Sequence, residues 1–177
     1  MLKRKTNMRN PIHKKIGDLV PEAFFPIRQE DEWHTLTTSD VFKGKRVVLF
    51  ALPGAFTPTC SKSHLPGFSS HAEQLVNAGV DTICCLSVND WFTMEAWRKD
   101  LEIGEEVLML PDGNADFTTA MGMLVDKRHL GFGARSWRYS MIVDNCVIEN
   151  MFVEDFNDDG DPFKVSGAPS MLEAIQK

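Results

Sequence analysis

The sequence predicts an α/β domain in which a mixed sheet is covered by helices on both faces. Three observations predict it. Short apolar runs rich in β-branched residues recur at residues 47–52 (VVLFAL) and 82–88 (TICCLSV), the pattern of strands buried on both faces. Each is followed by a segment with apolar residues at three-and-four spacing, the pattern of a helix packed on the sheet. Late in the chain two strand-like runs lie close together around a tight turn, which predicts an antiparallel hairpin. A chain of 177 residues suits one core. Apolar content of 43% and charged content of 25% lie near the globular average, so the chain should fold.

The elements follow in order. Residues 16–40 read as an irregular extension with room for a short hairpin. After the strand at 47–52 comes the loop PGAFTPT. A helix then spans 60–77, carried by Leu65, Phe68, Ala72, Leu75 and Val76 and closed by Gly79. The strand at 82–88 leads to Asn89 or Asp90, either of which can cap a helix through Met94, Trp97 and Leu101. A strand at 107–110 ends at the turn Pro111-Asp112-Gly113, and a short helix covers 117–121. Strands at 139–143 and 147–153 flank the turn Asp144-Asn145, and a last helix starts near Ser170. The order β-α-β-α-β-α-β-β-α is the thioredoxin-like arrangement.

The net charge of −6 hides an asymmetry. Lys3, Arg4, Lys5, Arg9, Lys14 and Lys15 all precede residue 16, which leaves the rest of the chain near −12. Residues 1–15 therefore read as a basic, frayed arm, and residues 16–177 as the domain. No apolar run reaches the length of a bilayer span, and the first 30 residues lack the apolar stretch and cleavage site of a secretory signal, so a cytoplasmic protein is expected. Four cysteines, Cys60, Cys84, Cys85 and Cys146, are too few for a disulfide scaffold, and none forms C-x-x-C. They read as reduced thiols. The five histidines form no metal-ligand cluster of usual spacing, and nothing resembles a phosphate loop or a nucleic-acid motif.

Cys60 falls where the first central strand hands over to its helix, outside the carboxyl end of a strand, where ligands bind in such sheets. A sulfur in the first turn of a helix faces unpaired backbone N–H groups and the positive end of the helix dipole, which favour a thiolate. Thr57 puts a hydroxyl where a disulfide reductase would carry its first sulfur. One nucleophile remains, suited to attack on an outside electrophile. By position alone such a cysteine reads more readily as structural than catalytic, Thr57 as a helix-start cap and Arg138 as a surface ion pair. The neighbours change that reading.

The run Pro53-Gly54-Ala55-Phe56-Thr57-Pro58-Thr59-Cys60 matches the P-x-x-x-T-x-x-C signature of peroxiredoxins. LPGAFTPTCSKSHLPGF (52–68), CLSVNDWF (85–92), PDGNADFT (111–118), AMGMLVDK (120–127), LGFGARSWRYSMIVD (130–144) and GDPFKVS (160–166) resemble the fifth peroxiredoxin subfamily, whose bacterial members are often fused to a glutaredoxin domain. The resemblance implies a thiol peroxidase acting on hydrogen peroxide and small organic hydroperoxides. It makes Cys60 the nucleophile, Thr57 the hydroxyl that orients the peroxide, Pro53 the shield of the sulfur, and Arg138 the active-site arginine. Arg135 could support Arg138 from behind or be solvated, and His64 is expected to pack or hydrogen-bond rather than act as a base.

The same resemblance implies no cofactor and no metal, and a homodimer packed near the active-site loops. Attack would leave a sulfenic acid on Cys60 that a second thiol must reduce. KVSGAPS lacks the C-terminal resolving cysteine of some relatives. Cys84 and Cys85 should point to opposite faces of a strand as core filler, and Cys146 follows the turn Asp144-Asn145, where relatives usually carry Gly, and reads either as a reactive surface thiol or as a residue with no role. A one-cysteine cycle reset by glutathione or glutaredoxin is therefore expected. The rival readings are a non-enzymatic thioredoxin-like binding or holdase domain, and a disulfide reductase. The missing C-x-x-C and the arginine before the strand at Ser140 argue against the latter.

Overall fold

The computed structural model describes residues 13–158 and 160–177. The frayed arm expected at residues 1–15 lies mostly outside them. Of its last residues, Lys14 donates its backbone N–H to Met121 O at 3.0 Å.

A five-stranded sheet organises the chain, in the order β5-β4-β3-β8-β9. Its centre is β3 (Arg46–Ala51), parallel to β4 (Thr82–Ser87) and antiparallel to β8 (Tyr139–Asp144). β5 (Leu108–Pro111) extends the parallel side, and β9 (Val147–Val153) closes the other edge as the hairpin partner of β8. Before the sheet lie β1 (Phe24–Gln29) and β2 (Glu32–Thr37), a separate antiparallel hairpin, and α1 (Thr38–Phe42), opened by a reciprocal cap between Thr37 and Asp40.

The period-two alternation of β3 divides the core into two layers. Val47, Leu49 and Ala51 join Phe25, Phe42, Phe117, Trp137 and Tyr139 on one face. Val48 and Phe50 join Cys60, Phe68, Trp97 and Met171 on the other. Each layer is held by rings in contact, Phe42 on Phe117 in the first and Phe50 stacked on Phe68 at 4.0 Å in the second. Cys84 and Cys85 fall in different layers, as adjacent strand residues must.

The expected continuous helix at 60–77 is broken into three pieces. A π-helical turn covers Cys60–His64, α2 covers Leu65–Ser70 and α3 covers Ala72–Asn77. Pro66 explains the first break: it lacks an N–H, and its ring would meet the carbonyl four residues back in a regular α-helix. The turn widens, and the Leu65 N–H bonds to Cys60 O, five residues back. At the second break His71 Nδ1 sits 2.7 Å from Gly67 O, in the place the His71 backbone N–H would fill. That N–H goes to Ser69 O instead.

Two further differences are local. The β8–β9 turn is centred on Asn145 and Cys146, one residue later than the expected Asp144-Asn145, with φ of 44° and 70°. Positive φ at both central residues gives the twist that joins a tight hairpin. Between α5 (Asp116–Met121) and β8, a small hairpin of β6 (Leu124–Asp126) and β7 (Ala134–Ser136) appears where no strands were predicted. α4 (Trp91–Asp100), capped by Asp90 rather than Asn89, and α6 (Ala168–Ile175) complete the helical cover.

Candidate active site

Cys60 lies in the first turn after the loop that leaves β3, and it is completely buried. Its turn is fixed from two sides. Ser61 donates its backbone N–H to Thr57 O at 3.0 Å, and Trp97 of α4 donates its indole N–H to the Ser61 hydroxyl at 3.0 Å. The loop before it is held by Asn89, whose side-chain oxygen accepts from Ala55 N–H at 3.0 Å and from the Ser87 hydroxyl at 2.7 Å.

Arg138 immediately precedes β8, the neighbour of β3, and its side chain crosses to the sulfur. One terminal nitrogen lies 3.6 Å from Cys60 Sγ, and the same nitrogen pairs with the Asp161 carboxylate. The other donates to His64 Nδ1 at 3.0 Å. Its Nε is buried without a hydrogen-bond partner among the described residues, and the guanidinium lies over the Phe163 ring, 5.7 Å from its centroid. Arg138 thus sets a permanently charged planar fork, fully buried, beside the Cys60 thiol.

His64 is also fully buried. Burial pushes its pKa down to about 3; the Arg138 charge adds to this, and the hydrogen bond to Ser166 O opposes it. The ring is therefore neutral. With Arg138 donating to Nδ1, the proton sits on Nε2 and is donated to Ser166 O at 3.0 Å. Both nitrogens are occupied, so His64 positions the arginine and is not a base.

Beside the Cys60 turn a pocket of about 280 Å³ is lined by Pro53, Thr57, Pro58, Leu130, Phe132 and Asp161, among others. The Thr57 hydroxyl donates to Gly54 O at 2.7 Å. Of the four residues singled out in the sequence, Pro53 and Thr57 line this pocket and Arg138 reaches the buried Cys60 sulfur; neither Cys60 nor Arg138 is among the residues that line it.

The redoxin family model matches residues 15–172. The chain is 51% identical to peroxiredoxin sll1621 of Synechocystis, over 89% of each chain. The chain belongs to the peroxiredoxin family.

Other relatives agree. This peroxiredoxin is 55% identical to hybrid peroxiredoxin hyPrx5 of Haemophilus influenzae over 90% of its own length, and spans 65% of the hybrid's length. The crystal structure of reduced Prx3 from Vibrio vulnificus in complex with H2O2 superposes with a TM-score of 0.85 at 43% identity, covering 92% of this chain and 99% of that one. The thioredoxin-like fold and the fifth-subfamily character expected from the motifs both hold, and the protein is a thiol peroxidase of this family.

Several residues of the peroxiredoxin site were not singled out from sequence. Asp161 and Ser166 lie within GDPFKVS, where the quoted segment was the signal and the contacts were not legible. Lys127, at the end of AMGMLVDK, is buried, lines the pocket, and sits 4.6 Å from the Trp137 ring while donating to Gly160 O at 3.3 Å. Glu154 carried no signal beyond being an acid at the end of an apolar strand. Arg135 proves to brace the pocket wall, donating to Phe132 O and Val88 O, both at 2.8 Å, rather than Arg138. Cys85 is buried in the same layer as Cys60, and burial, with Cys60 and Cys84 adding, raises its pKa well above the ordinary thiol value. Among the described residues no helix is long and apolar enough to cross a membrane, and no group of metal-ligating side chains is found.

Proposed function

We propose that the Cys60 thiolate attacks the distal oxygen of a hydroperoxide, R–O–O–H, and that Arg138, Thr57 and Pro53 make this reaction fast. The S–O bond forms as the O–O bond breaks. Cys60 becomes a sulfenic acid, and the departing RO⁻ takes a proton to leave as water or an alcohol. The observation that carries the proposal is the Arg138 nitrogen 3.6 Å from Cys60 Sγ, with a pocket beside the Cys60 turn lined by Pro53 and Thr57.

The roles follow from the donor inventory. Thr57 uses its proton on Gly54 O, so its lone pairs are left to accept from the peroxide O–H. Arg138 Nε, which has no hydrogen-bond partner among the described residues, donates to a peroxide oxygen while its terminal nitrogen stays on the sulfur. Pro53, buried on the wall, has no N–H to offer water. Holding both oxygens in line and stabilising charge on the leaving one supplies most of the acceleration.

The reductant in this reading is glutathione or a glutaredoxin, in a one-cysteine cycle. All four cysteines are unpaired, the strand thiols Cys84 and Cys85 are buried, and the name of the Haemophilus hybrid is suggestive. Hydrogen peroxide and small alkyl hydroperoxides both fit the pocket volume. The reading suits a reducing compartment such as the cytoplasm. It also includes a homodimer, supported by the exposed aromatic set Phe24, Trp33 and Phe92, with Trp33 edge-on to Phe92 at 5.7 Å. Exposed Phe56 lies in the active-site loop next to Ala55, which Asn89 holds.

Peroxide consumption with glutathione and glutaredoxin tests this in wild type and in Cys60→Ser, Thr57→Val and Arg138→Ala. Loss of turnover in the Cys60 variant and strong loss in the other two are expected. Retained activity in Cys60→Ser would remove the mechanism and favour a different nucleophile.

A further inference from the structure

The buried carboxylate of Glu154 has no part in the chemistry above, yet it is bound into the same structure. Glu154 directly follows β9, and only 2% of its surface is exposed. One of its oxygens, Oε1, accepts the backbone N–H groups of Lys164, Val165 and Ser166 at 2.9, 2.9 and 3.0 Å, and the Ser166 hydroxyl at 2.8 Å. Burial pushes this carboxyl up, but these hydrogen bonds outweigh it and hold the pKa below the ordinary range, so the group is an anion. Four donors on one buried oxygen fix the backbone of 164–166 far more firmly than loop residues usually are.

The fixed segment reaches the active site through Ser166. The carbonyl of Ser166 accepts from His64 Nε2 at 3.0 Å, and His64 Nδ1 accepts from Arg138 at 3.0 Å. Five residues earlier, Asp161 pairs with the Arg138 nitrogen that reaches the sulfur. The main chain of Glu154 meanwhile donates to Arg138 O at 3.2 Å and accepts from the Trp137 indole at 2.8 Å. The contacts form a closed ring. It runs from the Arg138 backbone through Glu154, Ser166 and His64 to the Arg138 guanidinium, so the backbone that carries the guanidinium and the groups that aim it share one anchor.

We propose that Glu154 is a positioning residue for the peroxide step, holding the Arg138 guanidinium on the Cys60 sulfur through Ser166 and His64. The proposal rests on the reading that Arg138 acts on the peroxide. A guanidinium freed to move by an ångström would lose its place against sulfur and oxygen, and misplacement on that scale costs about 100-fold in rate.

The test measures the second-order rate of Cys60 oxidation by hydrogen peroxide without reductant. Glu154→Ala should slow it about 10- to 100-fold, and Glu154→Gln, which keeps an acceptor of the same reach, should restore it to within about threefold. In a His64→Leu background, Glu154→Ala should cost less than about twofold more, because the path is already cut. If the alanine variant does not fold, Glu154→Asp carries the test: retracting the carboxylate by one methylene should still slow oxidation at least about fivefold. A folded Glu154→Ala, or failing that Glu154→Asp, with the wild-type rate overturns the proposal. So do losses in Glu154→Ala and His64→Leu that multiply. Arg138→Ala is run in parallel: a wild-type rate there sinks the parent reading, whereas a slow Arg138→Ala beside a fast folded Glu154→Ala sinks only this inference.

Discussion

The Thr57 hydroxyl donates to the Gly54 carbonyl at 2.7 Å, so what it presents to the pocket is a lone pair. In the proposed reaction that lone pair accepts the O–H of the peroxide oxygen under attack. Thr57→Val should therefore lower the rate of Cys60 oxidation by about 100-fold or more with the fold intact, while Thr57→Ser should retain most of it; rapid mixing with peroxide and a thermal melt of each variant check both halves. His64 has a pH signature of its own. Its pKa in the folded protein is about 3, while in the unfolded chain it is close to 6.5. Below pH 6.5 the unfolded state binds a proton that the folded state refuses, so stability falls as pH is lowered through that window. Between pH 6.5 and 5 this histidine should remove about 2 kcal/mol. Urea unfolding at the two values, compared with His64→Gln, should show that loss shrink in the variant. Cys60, Thr57, Pro53 and Arg138 were legible in the sequence because they sit in short motifs of fixed spacing. Glu154, Ser166 and Asp161 were not, because their partners, His64 and Arg138, lie far off along the chain and meet them only after folding.

At the scale of elements, alternation and helical spacing located the sheet and its helices, because burial on both faces leaves runs such as residues 47–52 that nothing polar interrupts. The break at Pro66 was the part composition alone obscured: the apolar spacing continues across it, but the missing N–H widens the turn that carries Cys60. The β6–β7 hairpin was hidden because it pairs only three residues per strand and exposes half of them. The β8–β9 turn gives a direct test of local strain. Cys146 holds φ of 70°, a region that costs a side chain about 1 kcal/mol and glycine almost nothing. Cys146→Gly should stabilise the protein by up to about 1 kcal/mol, raising Tm by about 2–4 °C, less whatever packing the half-buried thiol contributes. A scanning calorimetry trace that drops instead would show that its packing outweighs the strain.

For the whole molecule, the placement of the thiols predicts how the cycle ends. Cys85 shares a layer with Cys60 but lies in the central sheet, and Cys146 lies in the turn at the end of β8, packed against the opposite layer. Peroxide-treated protein kept free of other thiols should show Cys60 as a sulfenic or more oxidised acid by peptide mass spectrometry. A Cys60–Cys85 or Cys60–Cys146 disulfide would replace the one-cysteine cycle and leave the peroxidase step standing. The central claim is the aim of one guanidinium on one sulfur, and it is tested most directly by the second-order rate of Cys60 oxidation by hydrogen peroxide in wild type and Arg138→Ala, before any reductant is added. The account predicts a fall of at least about 100-fold in the variant; a folded Arg138→Ala protein oxidised within about twofold of wild type would contradict it.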